Sequence, residues 1–181
     1  MPFTPFHLGP ALLIGLLMFN LLDLPTFLIA NVIVDIEPLL VLVLGLPLPL
    51  HGFLHTYLGG SILATSLTLI MARARAHLTG LTKALQVEQE YSVKTIGLSS
   101  FSGIYIHILL DSFLYSEMKP LYPLTVNPFL GMLSSAQVYT LCTVSLAIGA
   151  AIYIGRLLKR RLREHPREHA APRKTFKQQT R

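Results

Sequence analysis

The chain has no tryptophan, a single cysteine and few charges. Asp, Glu, Lys and Arg make up 13% of its 181 residues, about half the share usual in a soluble domain. Not one Lys or Arg precedes Arg73. The lone cysteine, Cys142, excludes an intrachain disulfide framework and any Cys-based zinc knuckle. Lying within an apolar run, it reads as a small buried side chain. The first ten residues lack the basic n-region of a cleavable signal peptide, so none is expected. Neither a G-x-S-x-G nucleophile elbow nor a P-loop occurs, and there is no internal repeat.

What is present is apolar length. Hydrophobic residues make up 52% of the chain and the mean hydropathy is +0.56. The expected fold is all-α: a multi-span membrane helical bundle, residues 1–158, followed by a basic tail, residues 159–181. About five apolar segments are legible: Leu8 to Leu22, Leu24 to Leu46, Gly52 to Ala72, Thr95 to Tyr115 and Ala136 to Leu158. About 20 helical residues cross the hydrocarbon. The second segment is interrupted by Asp35-Ile36-Glu37-Pro38, where Pro38 disfavours helix at Glu37 and unwinding is expected. Leu78, Leu81 and Leu85 recur at helical spacing and predict an interfacial or cytoplasmic helix within 78–94. Pro120, Pro123 and Pro128 predict an irregular link over 116–135.

Charge sets the orientation. Arg73, Arg75, Lys83 and Lys94 flank the connection between segments three and four. Most of the formal charge of +6 lies between Arg156 and Arg181. By the positive-inside rule both regions are cytoplasmic, in a multi-pass protein of the plasma (inner) membrane. The tail suits anionic lipid headgroups, so membrane lipids are expected partners and nucleic acid is not. His77, His165 and His169 fall on the cytoplasmic side. No pattern in the sequence fixes an oligomeric state.

Against this background His7, Asp35, Glu37, His51, His55, His107 and Asp111 stand out. A charged side chain at the centre of a bilayer costs about 2.5–3.5 kcal/mol on insertion scales. Imidazoles and carboxylates are also the groups that hold divalent metals. The orientation, set by Lys and Arg alone, carries all seven toward the outer leaflet. His107-x-x-x-Asp111 places both side chains on one helical face; they can chelate an ion or simply hydrogen-bond within a bundle. His51-x-x-x-His55 has the same spacing, read as the start of the next helix. Of Asp35 and Glu37, one is expected to ligate and the other to serve as general base or support. His7 sits at a span boundary.

This set, on five spans and in this order, resembles the YdjM-like family of predicted inner-membrane metal-dependent hydrolases, over roughly residues 1 to 135. That family is similar, distantly, to the all-α zinc-dependent phospholipase C and single-strand nuclease superfamily. The resemblance implies ligand positions at His7, Asp35, His51, His107 and Asp111; His55 and Glu37 match the membrane family alone. The late His and Glu ligands of the soluble enzymes have no counterpart here, and Glu117 stands by itself. One or two divalent ions, zinc by preference, are therefore expected rather than three.

The function expected from depth and resemblance together is hydrolysis of a lipid or other amphiphilic phosphoester by metal-activated water, with Glu37 or Asp35 taking the proton. A cation- or proton-coupled transporter also uses a broken helix and intramembrane carboxylates, but its pathway needs polar groups on both sides. The cytoplasmic halves here offer Asp23 alone. A non-catalytic scaffold would give the seven residues no role.

Overall fold

The computed structural model describes residues 6–164, so the tail cations Arg167, Arg173, Lys174, Lys177 and Arg181, and His165 and His169, lie outside the described residues. Seven α-helices are described: α1 (Leu8–Leu17), α2 (Leu24–Ile33), α3 (Ile36–Leu44), α4 (Tyr57–Ala74), α5 (Thr79–Ala84), α6 (Val93–Ser112) and α7 (Ser135–Glu164). Short 3-10 turns cover Phe53–His55 and Arg75–Leu78. No strand occurs among the described residues, so the fold is an all-α bundle.

Four helical stretches are long and apolar enough to cross a membrane: Leu24–Leu44, Tyr57–Ala84, Val93–Ser112 and Ser135–Arg163. Their outward faces carry Leu40, Val43, Ile62, Ile70, Val144 and Ile154, all exposed. So much bare hydrocarbon on several helices fits lipid, not water. The expected fifth span is corrected. The segment read as Leu8 to Leu22 holds a helix of only 10 residues, about 15 Å long against about 30 Å of hydrocarbon. The chain turns over Met18 to Leu22, where Leu21 and Leu22 donate to the Met18 carbonyl. Asp23 then caps α2, accepting from Thr26 N at 3.2 Å and from the Thr26 hydroxyl at 2.5 Å.

The helices pack in the order α7, α1, α2, α6, α4. Small residues set the close approaches. A Cβ at Gly103 of α6 would stand 2.5 Å from the Ala30 Cβ of α2, the close approach that a small residue allows. Gly9 of α1 lies directly against the Cys142 carbonyl of α7. The main core joins Ala30, Val34, Ala64, Leu67, Ile96, Ile104 and Ile108 between α2, α4 and α6.

The interruption at Asp35–Pro38 is a kink, not the unwound stretch expected. Pro38 has no N–H to donate, and its ring would meet the carbonyl four residues back. The Val34 carbonyl instead accepts from Glu37 N at 3.2 Å, and Val32 accepts from Asp35 N at 3.1 Å. Both bonds are one residue shorter than the α-helical pattern, so the backbone stays coiled but bends. The helix expected within 78–94 is shorter as well: α5 ends at Ala84, and Gln86 takes a left-handed φ of 55°. Helix α7 continues through Glu164, past the expected boundary at Leu158. The link 116–135 is irregular, as its prolines predict.

Candidate metal centre

The kink creates the first element of the site. In a straight helix the Asn31 carbonyl would accept from Asp35 N, but that N–H has turned to Val32. The freed carbonyl accepts from His107 Nδ1 at 2.8 Å. A carbonyl only accepts, so Nδ1 carries the proton and a neutral His107 presents its Nε2 lone pair to the interior. Asp35 itself sits at the bend, between α2 and α3.

His55 is oriented the same way by a different partner. Its Nδ1 lies 2.8 Å from Glu37 Oε2. Glu37 also accepts from Gly52 N at 3.1 Å and Leu54 N at 3.2 Å. With three hydrogen bonds holding the 52–55 turn, Glu37 is a positioning residue. His51 Nδ1 lies 2.8 Å from Glu117 Oε1, and its ring stacks on Tyr115 at 3.9 Å. In all three histidines Nδ1 is held by an oxygen and Nε2 faces Asp111 or Asp35. This is the arrangement by which outer partners fix metal-ligating imidazoles.

At the centre, Asp35, His55, His107 and Asp111 bring one donor atom each to within 4.8 Å of one another. His107 Nε2 is 3.2 Å from Asp111 Oδ2 and 3.4 Å from Asp35 Oδ1. His55 Nε2 is 3.9 Å from each of the same two oxygens. Four donors around a tetrahedral zinc, at about 2.0–2.1 Å, lie about 3.4 Å apart. His55 Nε2 and His107 Nε2 are buried and make no hydrogen bond. With both imidazoles neutral, as ligation requires, the two carboxylates carry the charge that a dication balances. The donor spacing and the two buried nitrogens without hydrogen bonds fit a divalent ion.

All seven residues singled out in the sequence converge on this end of the bundle. His7 Nε2 reaches Asp111 Oδ1 at 3.0 Å, and its ring stacks on His107 at 4.2 Å. His51 Nε2 stands 3.9 Å from Asp111 Oδ2. These two border the four-donor group without belonging to it. One local expectation fails: His51 and His55 do not share a helical face. Thr56 caps α4 with extended backbone (φ −108°, ψ 152°) and accepts from Gly59 N at 2.9 Å, so the helix begins after both histidines. A turn and a 3-10 turn deliver them instead. Residues that sequence reasoning missed are the Asn31 carbonyl, Tyr115 and Glu117. Burial pushes the Glu117 carboxyl upward, but the His51 hydrogen bond, a backbone hydrogen bond and the charge of His51 together outweigh it, and the group titrates below the ordinary Glu value.

The role of Glu37 is testable. Glu37→Gln keeps the size but removes the charge behind His55. It is expected to weaken metal affinity about 10–100-fold, the usual cost of losing an outer-shell partner, in competition against a chromophoric chelator. Unchanged affinity would show that His55 is oriented without it. Comparison of the chain with protein-family models, with curated proteins and with solved structures finds no match.

Proposed function

We propose that the protein is a membrane-embedded, metal-dependent hydrolase whose substrate is a lipid or other amphiphilic phosphoester. The observation that carries the reading is the four-donor group of Asp35, His55, His107 and Asp111, with both imidazoles already turned inward by Glu37 and the Asn31 carbonyl. A divalent ion held there, zinc by donor type, supplies an activated water at neutral pH and neutralises charge on the phosphoryl oxygens.

The chain's own groups divide the remaining work. His51, backed by Glu117, stands beside the donor group and is placed to take the proton from water. This moves the base role from Glu37, whose oxygens are engaged by the 52–55 turn. Asp35 stays among the ligands. His7 holds the other oxygen of Asp111. Access favours an amphiphile. His55, His107 and Asp111 are all but sealed, whereas Asp35 is partly open, next to the bare apolar side chains Ile36, Leu39 and Leu40 of α3. The outer leaflet of the inner membrane, with the tail cytoplasmic, is the placement that the basic residues favour. Against the transport reading, Asp23 at the opposite end is engaged by Arg75.

The test is turnover of a chromogenic phosphodiester and of phospholipid in mixed micelles by the detergent-purified protein. Chelator should abolish activity and zinc restore it. His51→Gln should keep one ion per chain while losing about 100-fold or more in kcat, within the range of general-base catalysis. Two ions per chain, one lost in His51→Gln, would make His51 a ligand instead. Metal bound without turnover on either substrate would return the site to transport or structure.

A further inference from the structure

The histidines of the centre share a held Nδ1 but differ in what covers their rings. His107 is stacked against His7, another imidazole, with centroids 4.2 Å apart and planes at 26°. His55 meets His51 at a right angle, 4.8 Å between centroids. His51 lies flat on the phenol ring of Tyr115, at 3.9 Å and 21°. The Nδ1 partners differ too. A neutral backbone carbonyl, that of Asn31, holds His107, whereas the Glu117 carboxylate holds His51. His55 shares a carboxylate partner, Glu37, but stands within the four-donor group.

These differences matter because a ligand and a base have opposite needs. A ligating imidazole has to stay neutral to offer its lone pair. A general base becomes a cation as it works. His51 is buried, 6% exposed, and burial disfavours a charge. The charge it gains therefore depends on its neighbours. The face of a tyrosine ring attracts a cation placed within about 6 Å of its centroid. A carboxylate at Nδ1 favours the same charged form.

The fold holds Tyr115 firmly under His51. Helix α6 ends at Ser112 and leaves carbonyls without helical partners. Tyr115 N donates to the Asp111 carbonyl at 3.1 Å. Asn127, from the 116–135 link, donates through Nδ2 to the carbonyls of Ser112 and Tyr115, at 2.9 and 3.2 Å. Its Oδ1 accepts from Phe129 N at 3.1 Å, so both ends of the amide are engaged. The Tyr115 ring also packs on the main core. His51 is thus fixed in two directions. Glu117 sets the rotation of the ring within its plane, and Tyr115 sets the plane. Together they keep Nε2 beside Asp111 Oδ2, 3.9 Å away. We propose that Tyr115 is a positioning residue for the general base: an aromatic platform that aims His51 at the donor group and stabilises its imidazolium as Nε2 takes the proton from water. The inference rests on the hydrolytic reading and on His51 as its base, and Tyr115 acts through His51 alone.

The experiment is a double-variant kinetic cycle on the detergent-purified, metal-loaded full chain, with bis(p-nitrophenyl) phosphate as substrate. Tyr115→Leu should lower kcat about tenfold, within the range that a cation over an aromatic face is worth, with KM and metal content unchanged. Tyr115→Phe keeps the ring face and should restore kcat to within about threefold of the parent. In the His51→Gln background, Tyr115→Leu should lower the residual turnover no further, because a residue acting through His51 has nothing left to act on. A merely structural tyrosine would cost the same in both backgrounds, and that result would overturn the proposal. So would full activity in Tyr115→Leu, equal losses in the Phe and Leu variants, or loss of metal from Tyr115→Leu. If the Leu variant does not fold, Tyr115→Met, unbranched and able to fill the gap, takes its place in the cycle. A parent without turnover ends the hydrolytic reading and this inference with it. A parent that turns over while the two losses simply add ends this inference alone.

Discussion

Alanine at His107 is expected to empty the metal centre. The imidazole is fully buried, is held by the Asn31 carbonyl, and brings its Nε2 to 3.4 Å from Asp35 and 3.2 Å from Asp111. Loss of an outer partner already costs 10–100-fold in affinity, so loss of this donor should exceed about 100-fold. Elemental analysis should then find about one ion per chain in the parent and almost none in His107→Ala. Asp111→Ala should behave alike. Stability offers a second readout that does not depend on turnover. An ion bound at about a hundredfold over its dissociation constant stabilises the folded state by about 2.7 kcal/mol. Chelator should lower the unfolding midpoint of the parent by that increment and leave His107→Ala, already lower, where it was. A midpoint that ignores chelator, with no ion found, would make the cluster a buried histidine–carboxylate network joined by protons. The metal reading would end there.

The bundle was legible because apolar length is a property of composition. The runs from Leu24, Gly52, Thr95 and Ala136 each became a helical stretch long enough to cross a membrane, the first of them bent at Asp35. The run from Leu8 looked the same and did not, because its end is set by the Met18 turn and the Asp23 cap rather than by hydropathy. The site residues were legible for the converse reason: an ionisable group stands out in an apolar run. The spacing rule then held for His107 and Asp111, which lie within α6, and misled for His51 and His55, which precede the Thr56 cap. Glu117 lies in an irregular link, where no periodicity points inward. The Asn31 carbonyl is a backbone atom and leaves no trace in residue type at all. Its availability follows from Pro38, seven positions on, and only once the kink is known. Glu37 was visible, but its task was not, since only the folded turn brings Gly52 and Leu54 to its oxygens.

Arg75 shows the same limit in the sharpest form, and it carries the second large effect. Counted by sequence as a loop charge, it is 1% exposed, with Nε 2.7 Å from Asp23 Oδ1 and its guanidinium 4.7 Å from the centre of the Tyr91 ring. Asp23 accepts from Thr26 on its other oxygen, and its N–H donates to Ser99 Oγ at 2.8 Å. Gln89 adds a clasp: its oxygen accepts from Leu24 N, while its amide donates to the carbonyls of Phe19 and Leu22. The cluster ties the end of α4 to the starts of α2 and α6. Removing one member of a buried ion pair strands the other charge, at a cost of about 3–5 kcal/mol. Asp23→Ala and Arg75→Met are each expected to show that loss in the denaturation midpoint of the detergent-solubilised protein. The double variant strands nothing, so it should recover a large part of the sum of the single losses. Strict additivity would mean that the two charges do not stabilise one another. Asp35 lies 12 residues along from Asp23, about 18 Å away, so the double variant should also keep its full complement of metal. Metal lost together with the Asp23–Arg75 pair would mean that the two ends of the bundle are coupled, and that the kink at Asp35 depends on the cap that starts its helix.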